Sequence, residues 1–272
     1  MANKEYKLNI DPRILELLGP SLYTNIYYVL AELVANAYDA DAHNVYIIAN
    51  KDDITVEDDG TGMSYNNGDV QKYLNVAAVS RKTNEDAETA LKRKKMGRKG
   101  VGKLAALSVS ENVLIKTISD KEKSGFVLSC YIGSDNLLTP LSDDQITFEK
   151  ITGNGTAVVM QKPQYKLHSS LKAIKRNLLK IFPLVNENFK IHIIRGNERE
   201  TIDSFDKEMI TELSTLITLG DEFKYLCEYF NTPFSGKKDE LLRKKDSATI
   251  PISMKDRKGE EHASLTLMIL YN

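Results

Sequence analysis

The chain is poor in cysteine, in long apolar runs and in any excess of one charge, and each shortage removes a class of protein. Cys130 and Cys227 are the two cysteines in 272 residues. They are too few for a disulfide framework and match neither a zinc nor a redox spacing, so both are expected to be buried, reduced thiols. No stretch approaches the roughly 18 apolar residues of a membrane span, and the opening MANKEYKLNIDPR has no apolar core for a secretory signal. The expectation is a soluble, cytoplasmic protein with no membrane partner. Lys plus Arg number 37 against 38 Asp plus Glu, a formal net charge of -1, so any nucleic-acid partner has to be argued locally. There is no internal repeat or low-complexity tract. With 42% hydrophobic and 28% charged residues, the chain can bury one large core or two small ones, which excludes disorder along its length.

Asp11-Pro12 reads as an N-cap followed by proline at the first helical position, and Gly19-Pro20 stops that short helix. From Ser21 to Tyr38, Ile26, Leu30, Leu33, Val34 and Ala37 fall on one side of a helical wheel, the best-patterned helix in the chain. Val45–Ala49 and Ile54–Glu57 are β-branched runs around a polar turn, a hairpin that empties into Asp58-Asp59-Gly60-Thr61-Gly62. Ser80 to Lys99 is polar and charged, as expected of an exposed, mobile loop. A helix is expected from Leu104, strands over Val113–Ile118, Gly125–Ile132 and Thr156–Met160, a helix over Ser169–Ile181 and a strand over Phe189–Ile194. This order predicts an α+β fold. Beyond Arg195-Gly196-Asn197 the expectation is a helical stretch over Lys207–Phe230, a basic linker over Ser235–Lys245 and a hairpin joining Ala248–Met254 to Ala263–Leu270. The chain stops after an apolar strand, and an open edge invites pairing. It therefore reads as the front part of a longer protein.

Three constellations carry chemistry. Glu32, Asn36 and Asp39 are spaced to share one ridge of the long helix. A carboxylate there can accept a proton from water, and an amide oxygen is a hard ligand suited to Mg²⁺; a solvated polar stripe is the plainer alternative. Asp58-Asp59-Gly60-Thr61-Gly62-Met63 follows a strand. Its glycines allow close backbone approach and its carboxylate can accept from the exocyclic amine of adenine, although a plain Asp-Gly turn has the same sequence. Gly97-Arg98-Lys99-Gly100-Val101-Gly102-Lys103 opens a helix whose bare amides and flanking cations can hold phosphates, or can hinge a lid. It is not a P-loop, because Leu104 stands where the Mg²⁺-binding hydroxyl belongs. Nor is there a Rossmann fingerprint, since Gly60-Thr61-Gly62 lacks the third glycine.

In this order the three segments resemble the GHKL ATPase superfamily of gyrase B, the ninety-kilodalton heat-shock chaperones, histidine kinases and MutL, and in style its MORC-, MutL- or chaperone-like members. Ala31 to Ala40 resembles the N-box, Val56 to Met63 the DxGxGM box, and Gly97 to Gly102 the GxxGxG lid box. Gly153-Asn154-Gly155-Thr156 is similar to the Gly-Thr element behind the adenine pocket. The resemblance covers roughly Ile10 to Ile194. It implies a Bergerat-type two-layer sandwich, helices over a mixed, mostly antiparallel sheet, with ATP and Mg²⁺ as cofactors. The domain would span 1–195 with its lid at 80–102, and 196–272 would begin a transducer-like domain. Glu32 would be the general base, Asn36 the Mg²⁺ ligand, and Asp58 the adenine reader supported by Thr156. Gly60, Gly62 and Met63 would shape the base pocket. Gly97, Arg98, Lys99, Gly100, Val101, Gly102 and Lys103 would wrap the phosphates, with Lys103 or Lys99 as charge partners. Asp39 would be structural or act through water, and Asp59, where many relatives have Asn, would place a further negative charge near the nucleotide.

The function this implies is Mg²⁺-dependent ATP hydrolysis driving ATP-gated dimerisation or clamp closure in a larger protein, in DNA transactions or defence. A non-catalytic ATP switch or chaperone-like module is the alternative. A histidine kinase would need a phosphoacceptor helix ahead of the N-box, and no histidine lies in Met1–Pro20. The nine basic residues between Arg81 and Lys103, against Glu85, Asp86 and Glu88, offer either phosphate contacts to ATP or sequence-independent contacts to nucleic acid. Tyr65 and Tyr73 flank this region and either pack or stack on a base.

Overall fold

The computed structural model describes residues 4–9, 23, 25–75, 88–96, 102–131, 133, 135–182, 184–204, 207–208, 210, 218–219, 249–250, 253–255 and 261–264. The chain divides into two compact units, Met1–Asp203 and Ser204–Asn272. The long helix, α1, spans Ile26–Asp39. It starts where Asn25 adopts an extended backbone and its side chain accepts from the Tyr27 amide at 2.9 Å, satisfying one of the otherwise unpaired first-turn donors. Val29, Leu30, Leu33, Val34 and Ala37 form its buried face. The helix gives way where Asp41 takes a positive φ of 60° and turns the chain into the sheet.

The first unit is built on a nine-stranded sheet. Its strands are β1 (Tyr6–Lys7), β2 (Asn44–Ala49), β3 (Asp53–Asp58), β4 (Asn112–Ser119), β5 (Glu122–Ser129), β6 (Leu137–Pro140), β7 (Gly155–Gln161), β8 (Lys190–Arg195) and β9 (Glu198–Ile202). The spatial order is β1-β6-β5-β4-β7-β3-β2-β8-β9. Among these only β2 and β8 run parallel. The expected hairpin is β2–β3. A second, β4–β5, turns on Asp120 and Lys121, both at positive φ, which matches the right-handed twist of the strands it joins. Along β4, Val113, Ile115 and Thr117 are buried while Leu114, Lys116 and Ile118 are half-buried, the alternation of a sheet with one covered face. α1 and α3 (Leu171–Leu179) pack on the sheet, and a short helix, α2 (Asp69–Leu74), follows β3. This is the α+β architecture expected: helices over a mixed, mostly antiparallel sheet.

Some expectations change. The helix expected from Leu104 is a 3₁₀ helix over Gly102–Ser108. The first unit runs to Asp203, and Glu198–Ile202 pairs back on β8 through a turn with Gly196 at φ 56°. In the second unit β10 (Thr218–Leu219) lies inside the stretch expected to be helical and pairs in parallel with β11 (Thr249–Ile250). The final hairpin is β12 (Ser253–Lys255) with β13 (Glu261–Ser264). The expected helix at Asp11–Pro20 and the linker at Ser235–Lys245 lie outside the described residues. Cys130 is buried, its Sγ 3.7 Å from the Leu107 carbonyl; Cys227 lies outside them. Among the described residues no helix is long and apolar enough to cross a membrane.

Candidate functional site

Three neighbouring strands end at the same place. Asp58, at the end of β3, is register partner to Thr156 at the start of β7, which in turn faces Thr117 near the end of β4. Asp58 is buried, and its Oδ1 accepts from the Gly60 amide at 2.9 Å. Burial pushes its carboxyl up to about 7, against the Gly60 and Thr156 amides that favour the charged form and with the charges of Asp59 and Glu57 adding to the rise. Thr117 has no exposed surface. Its hydroxyl accepts from the Met63 amide at 2.8 Å and donates to the Gly155 carbonyl at 3.1 Å, so it pins the loop after Asp58 to the start of β7. Gly62 has φ 68°, and a Cβ there would overlap the Ile118 carbonyl, so only glycine lets the loop lie this close to β4.

The same loop is sewn to the end of α1, where the Thr61 amide donates to the Ala40 carbonyl at 3.0 Å. On α1, Glu32 is half-buried and Asn36, one turn on, is exposed. Burial together with the negative charge of Glu32 pushes the Tyr23 phenol up to about 12. Gly102 sits against Glu32 so closely that a Cβ on it would overlap Oε2. A carboxylate and an amide on α1 and a glycine backbone against that carboxylate are thus linked, through the Thr61–Ala40 bond, to the loop that follows a buried aspartate. Their types can orient water, ligate a hard cation, read an amine and admit phosphates.

The family model described as "Histidine kinase-, DNA gyrase B-, and HSP90-like ATPase" matches residues 23–156, a stretch that contains every element just described. This region belongs to the GHKL ATPase superfamily. Relatives of the whole chain include a putative type II restriction enzyme, HgiDII, from Herpetosiphon aurantiacus, 27% identical over 85% of this chain and 38% of that protein. Another is the chaperone protein HtpG of Halalkalibacterium halodurans, 24% identical over 78% of this chain and 38% of that protein. The chain therefore spans well under half the length of these relatives.

Within the GHKL domain, the residues expected at the nucleotide separate into groups. Asp58, Gly60, Gly62, Met63 and Thr156 lie together, and Glu32 touches Gly102. Lys103 follows on the 3₁₀ helix, while Gly97, Arg98, Lys99, Gly100 and Val101 lie outside the described residues. Asp39 Oδ1 accepts from the Met96 amide at 2.8 Å. The Asp59 carboxylate is held at the start of β2. Its Oδ1 accepts from the His43 and Asn44 amides at 2.7 Å and its Oδ2 from the Asn44 side chain at 2.8 Å. The chain of contacts continues from Asn44 Oδ1 to His192 Nε2 at 3.0 Å and from His192 Nδ1 to Arg199 at 2.9 Å. Arginine only donates, so Nδ1 accepts and the proton sits on Nε2. Burial and the Arg199 charge hold this neutral imidazole down at about 4.

Within the loop expected over 80–99, Glu88, Ala90, Leu91, Lys92 and Lys94 are exposed, as expected. Residues 88–96 form a tight turn held by Arg93, whose guanidinium donates to the Ala42 carbonyl at 2.6 Å and the Asn188 carbonyl at 3.1 Å. It stacks 4.8 Å from the Tyr38 ring and 5.4 Å from that of Phe189. That cation is engaged in structure and unavailable to nucleic acid. Tyr65 and Tyr73 pack: Tyr65 lies edge-on to Tyr6 at 5.6 Å and Tyr73 is 6.2 Å from Phe126. Sequence reasoning missed Tyr23, Thr117 and the buried Glu57, which accepts from the amides of Glu149, Lys150 and Ile151 at 2.9–3.0 Å. The only signal for Thr117 and Glu57 is a polar residue inside a β-branched run.

Proposed function

We propose that this domain binds ATP with Mg²⁺ in the groove between α1, the Asp58–Met63 loop and Gly102, and hydrolyses it. The observation that carries the reading is Asp58, a carboxylate buried at a strand end beside a threonine and a glycine amide. Such a group is costly to bury unless a donor arrives to share its charge, and the exocyclic amine of adenine is a donor of the right kind. Guanine carries a carbonyl at that position and would be repelled. Glu32 takes the proton of a water whose oxygen attacks the γ-phosphorus as the bond to ADP breaks. Asn36 suits Mg²⁺, because its amide oxygen is a hard ligand, exposed, and without a hydrogen-bond partner among the described residues. No cluster of three His, Cys, Asp or Glu groups suited to a metal occurs among those residues, and a cation held mainly by phosphates and water needs only one protein oxygen. When bound, Mg²⁺ neutralises charge on the phosphates. Arg98, Lys99, Gly100, Val101, Gly102 and Lys103 complete the phosphate-binding wrap in this reading.

The nucleotide cycle would close a homodimer or clamp in a longer protein. The likeness to a protein named as a putative restriction enzyme supports a role in DNA transactions or defence. Phosphate release is the test. The chain should turn over ATP only with Mg²⁺, and Glu32→Ala should lower kcat by about 10²-fold or more while ATP affinity stays within a few-fold. Unchanged turnover in Glu32→Ala would remove Glu32 as the base. ATP binding without any turnover by the unaltered chain would leave a nucleotide switch instead.

A further inference from the structure

The geometry points to Thr117 as a positioning residue that sets the preference of the nucleotide pocket for a 6-amino purine. The inference rests on Asp58 reading adenine, and it adds the side chain that holds the parts of the pocket together. Asp58, Thr156 and Thr117 are register partners on β3, β7 and β4, so they share one face of the sheet as a polar row. The next row on that face is apolar, formed by Val56, Val158 and Ile115. Thr117 has no exposed surface and cannot touch a ligand itself. Its hydroxyl accepts from the Met63 amide at 2.8 Å and donates to the Gly155 carbonyl at 3.1 Å. Those two backbone groups belong to the separate segments on either side of Asp58, the loop after β3 and the start of β7. A displacement of one against the other changes where Asp58 and Thr156 meet a base, and recognition of this kind tolerates little displacement.

The hydroxyl also fixes the polarity of its neighbour. A threonine oxygen has one proton and two lone pairs. With the proton on the Gly155 carbonyl and one lone pair taken by the Met63 amide, a single lone pair remains, and the Thr156 hydroxyl lies 3.4 Å away. Thr156 can use that contact only as the donor. Its own oxygen is then left as an acceptor, the same polarity as the Asp58 carboxylate on the adjoining strand. Two acceptors in one row suit an amine, which carries two N–H groups, and oppose a carbonyl. Without the Thr117 hydroxyl, the Thr156 proton is free to turn toward a carbonyl and that opposition weakens. Valine matches threonine in shape but supplies neither donor nor acceptor, so it leaves the Met63 amide without its partner. Serine keeps the hydroxyl and loses only a methyl group.

The test titrates ATP and inosine triphosphate, each with Mg²⁺, into the full chain as wild type, Thr117→Val and Thr117→Ser, with the weaker nucleotide read by competition and melting curves to establish that each variant folds. In inosine triphosphate a carbonyl replaces the 6-amino group of the purine. Thr117→Val is expected to lose about tenfold in ATP affinity while its affinity for inosine triphosphate changes by less than about threefold, so the preference for ATP narrows. Thr117→Ser should stay within about threefold of the wild type for both nucleotides. An unchanged ATP affinity in Thr117→Val, an equal loss for both nucleotides, or a loss in Thr117→Ser as large as that in Thr117→Val overturns the inference. Absence of ATP binding by the wild type, or equal binding of the two nucleotides, removes the adenine reading itself and the inference with it, an outcome told apart because it is seen in the unaltered chain. A second readout needs no variant at Thr117. In the wild type labelled with ¹⁵N-methionine, the amide resonance that vanishes in Met63→Leu should exchange with solvent at least about tenfold more slowly than an unprotected amide. Exchange at the unprotected rate means that the bond to Thr117 is absent, and the inference falls.

Discussion

Two buried titratable groups near the nucleotide groove act on stability in opposite directions. Asp58 has its carboxyl raised from 3.8 to about 7. Between those values the unfolded chain has released the proton and the folded chain retains it, so this group makes stability fall as pH rises. His192 is lowered from 6.5 to about 4. In that window the unfolded chain binds the extra proton, so this group makes stability rise with pH. Each effect is on the order of a few kcal/mol at most, and over pH 5 to 6.5 they oppose one another. Urea unfolding across that range should therefore show little net slope from this pair in the wild type. Asp58→Asn should leave stability climbing with pH, and His192→Gln should leave it falling. Parallel slopes in the two variants would contradict the assignment of either group. Asp59 belongs to the same scale, since it reaches His192 through Asn44 and holds the first turn of β2 instead of facing the groove.

At the scale of elements, the turn at 88–96 is fastened near the end of α1 by the Arg93 side chain and by the Leu91 and Met96 amides on Asp41 and Asp39. Arg93→Ala removes its carbonyl contacts and its stacking on Tyr38 and Phe189, and is expected to cost about 2 kcal/mol in denaturant unfolding. Arg93→Lys should restore little, because an ammonium lacks the planar fork that serves separate carbonyls. Gly102→Ala places a methyl group on the Glu32 carboxylate. It should lower kcat by at least tenfold with a small change in melting temperature, measured by phosphate release beside a melting curve. What was legible here was whatever local pattern decides. The apolar stripe from Ile26 to Ala37 specified α1, and the β-branched runs at Val45 and Ile54 specified the central hairpin. The two-residue edge strand β1 carries no such pattern, because its pairing partner β6 lies far away in sequence. Leu104–Leu107 has a helix former's composition yet is 3₁₀, with Gly102 at its start pressed against α1. Thr117 and Glu57 were invisible for the same reason as that strand, since each owes its role to a partner that only the fold supplies.

At the scale of the whole molecule, the three sequence boxes are distant along the chain and adjacent in the fold. The ridge of α1 meets the start of the 3₁₀ helix where Glu32 faces Gly102, and the loop after β3 is bonded to the end of α1 and to β4. The order of the motifs carried the family likeness even though no one motif was decisive: Asp58-Asp59-Gly60 alone is a turn, and Glu32 with Asn36 alone is a polar stripe. A nucleotide cycle that closes a dimer predicts a change in mass. Light scattering of the full chain with Mg²⁺ and a non-hydrolysable ATP analogue should show the dimer, and with ADP the monomer; one mass under both conditions would rule that cycle out for this chain. The most direct test of the account as a whole is calorimetric titration of ATP and GTP, each with Mg²⁺, into the wild type and Asp58→Asn. The account predicts that the wild type binds ATP and discriminates against GTP, and that Asp58→Asn loses at least tenfold in ATP affinity. Equal binding of the two nucleotides, or an unchanged ATP isotherm in Asp58→Asn, would contradict it.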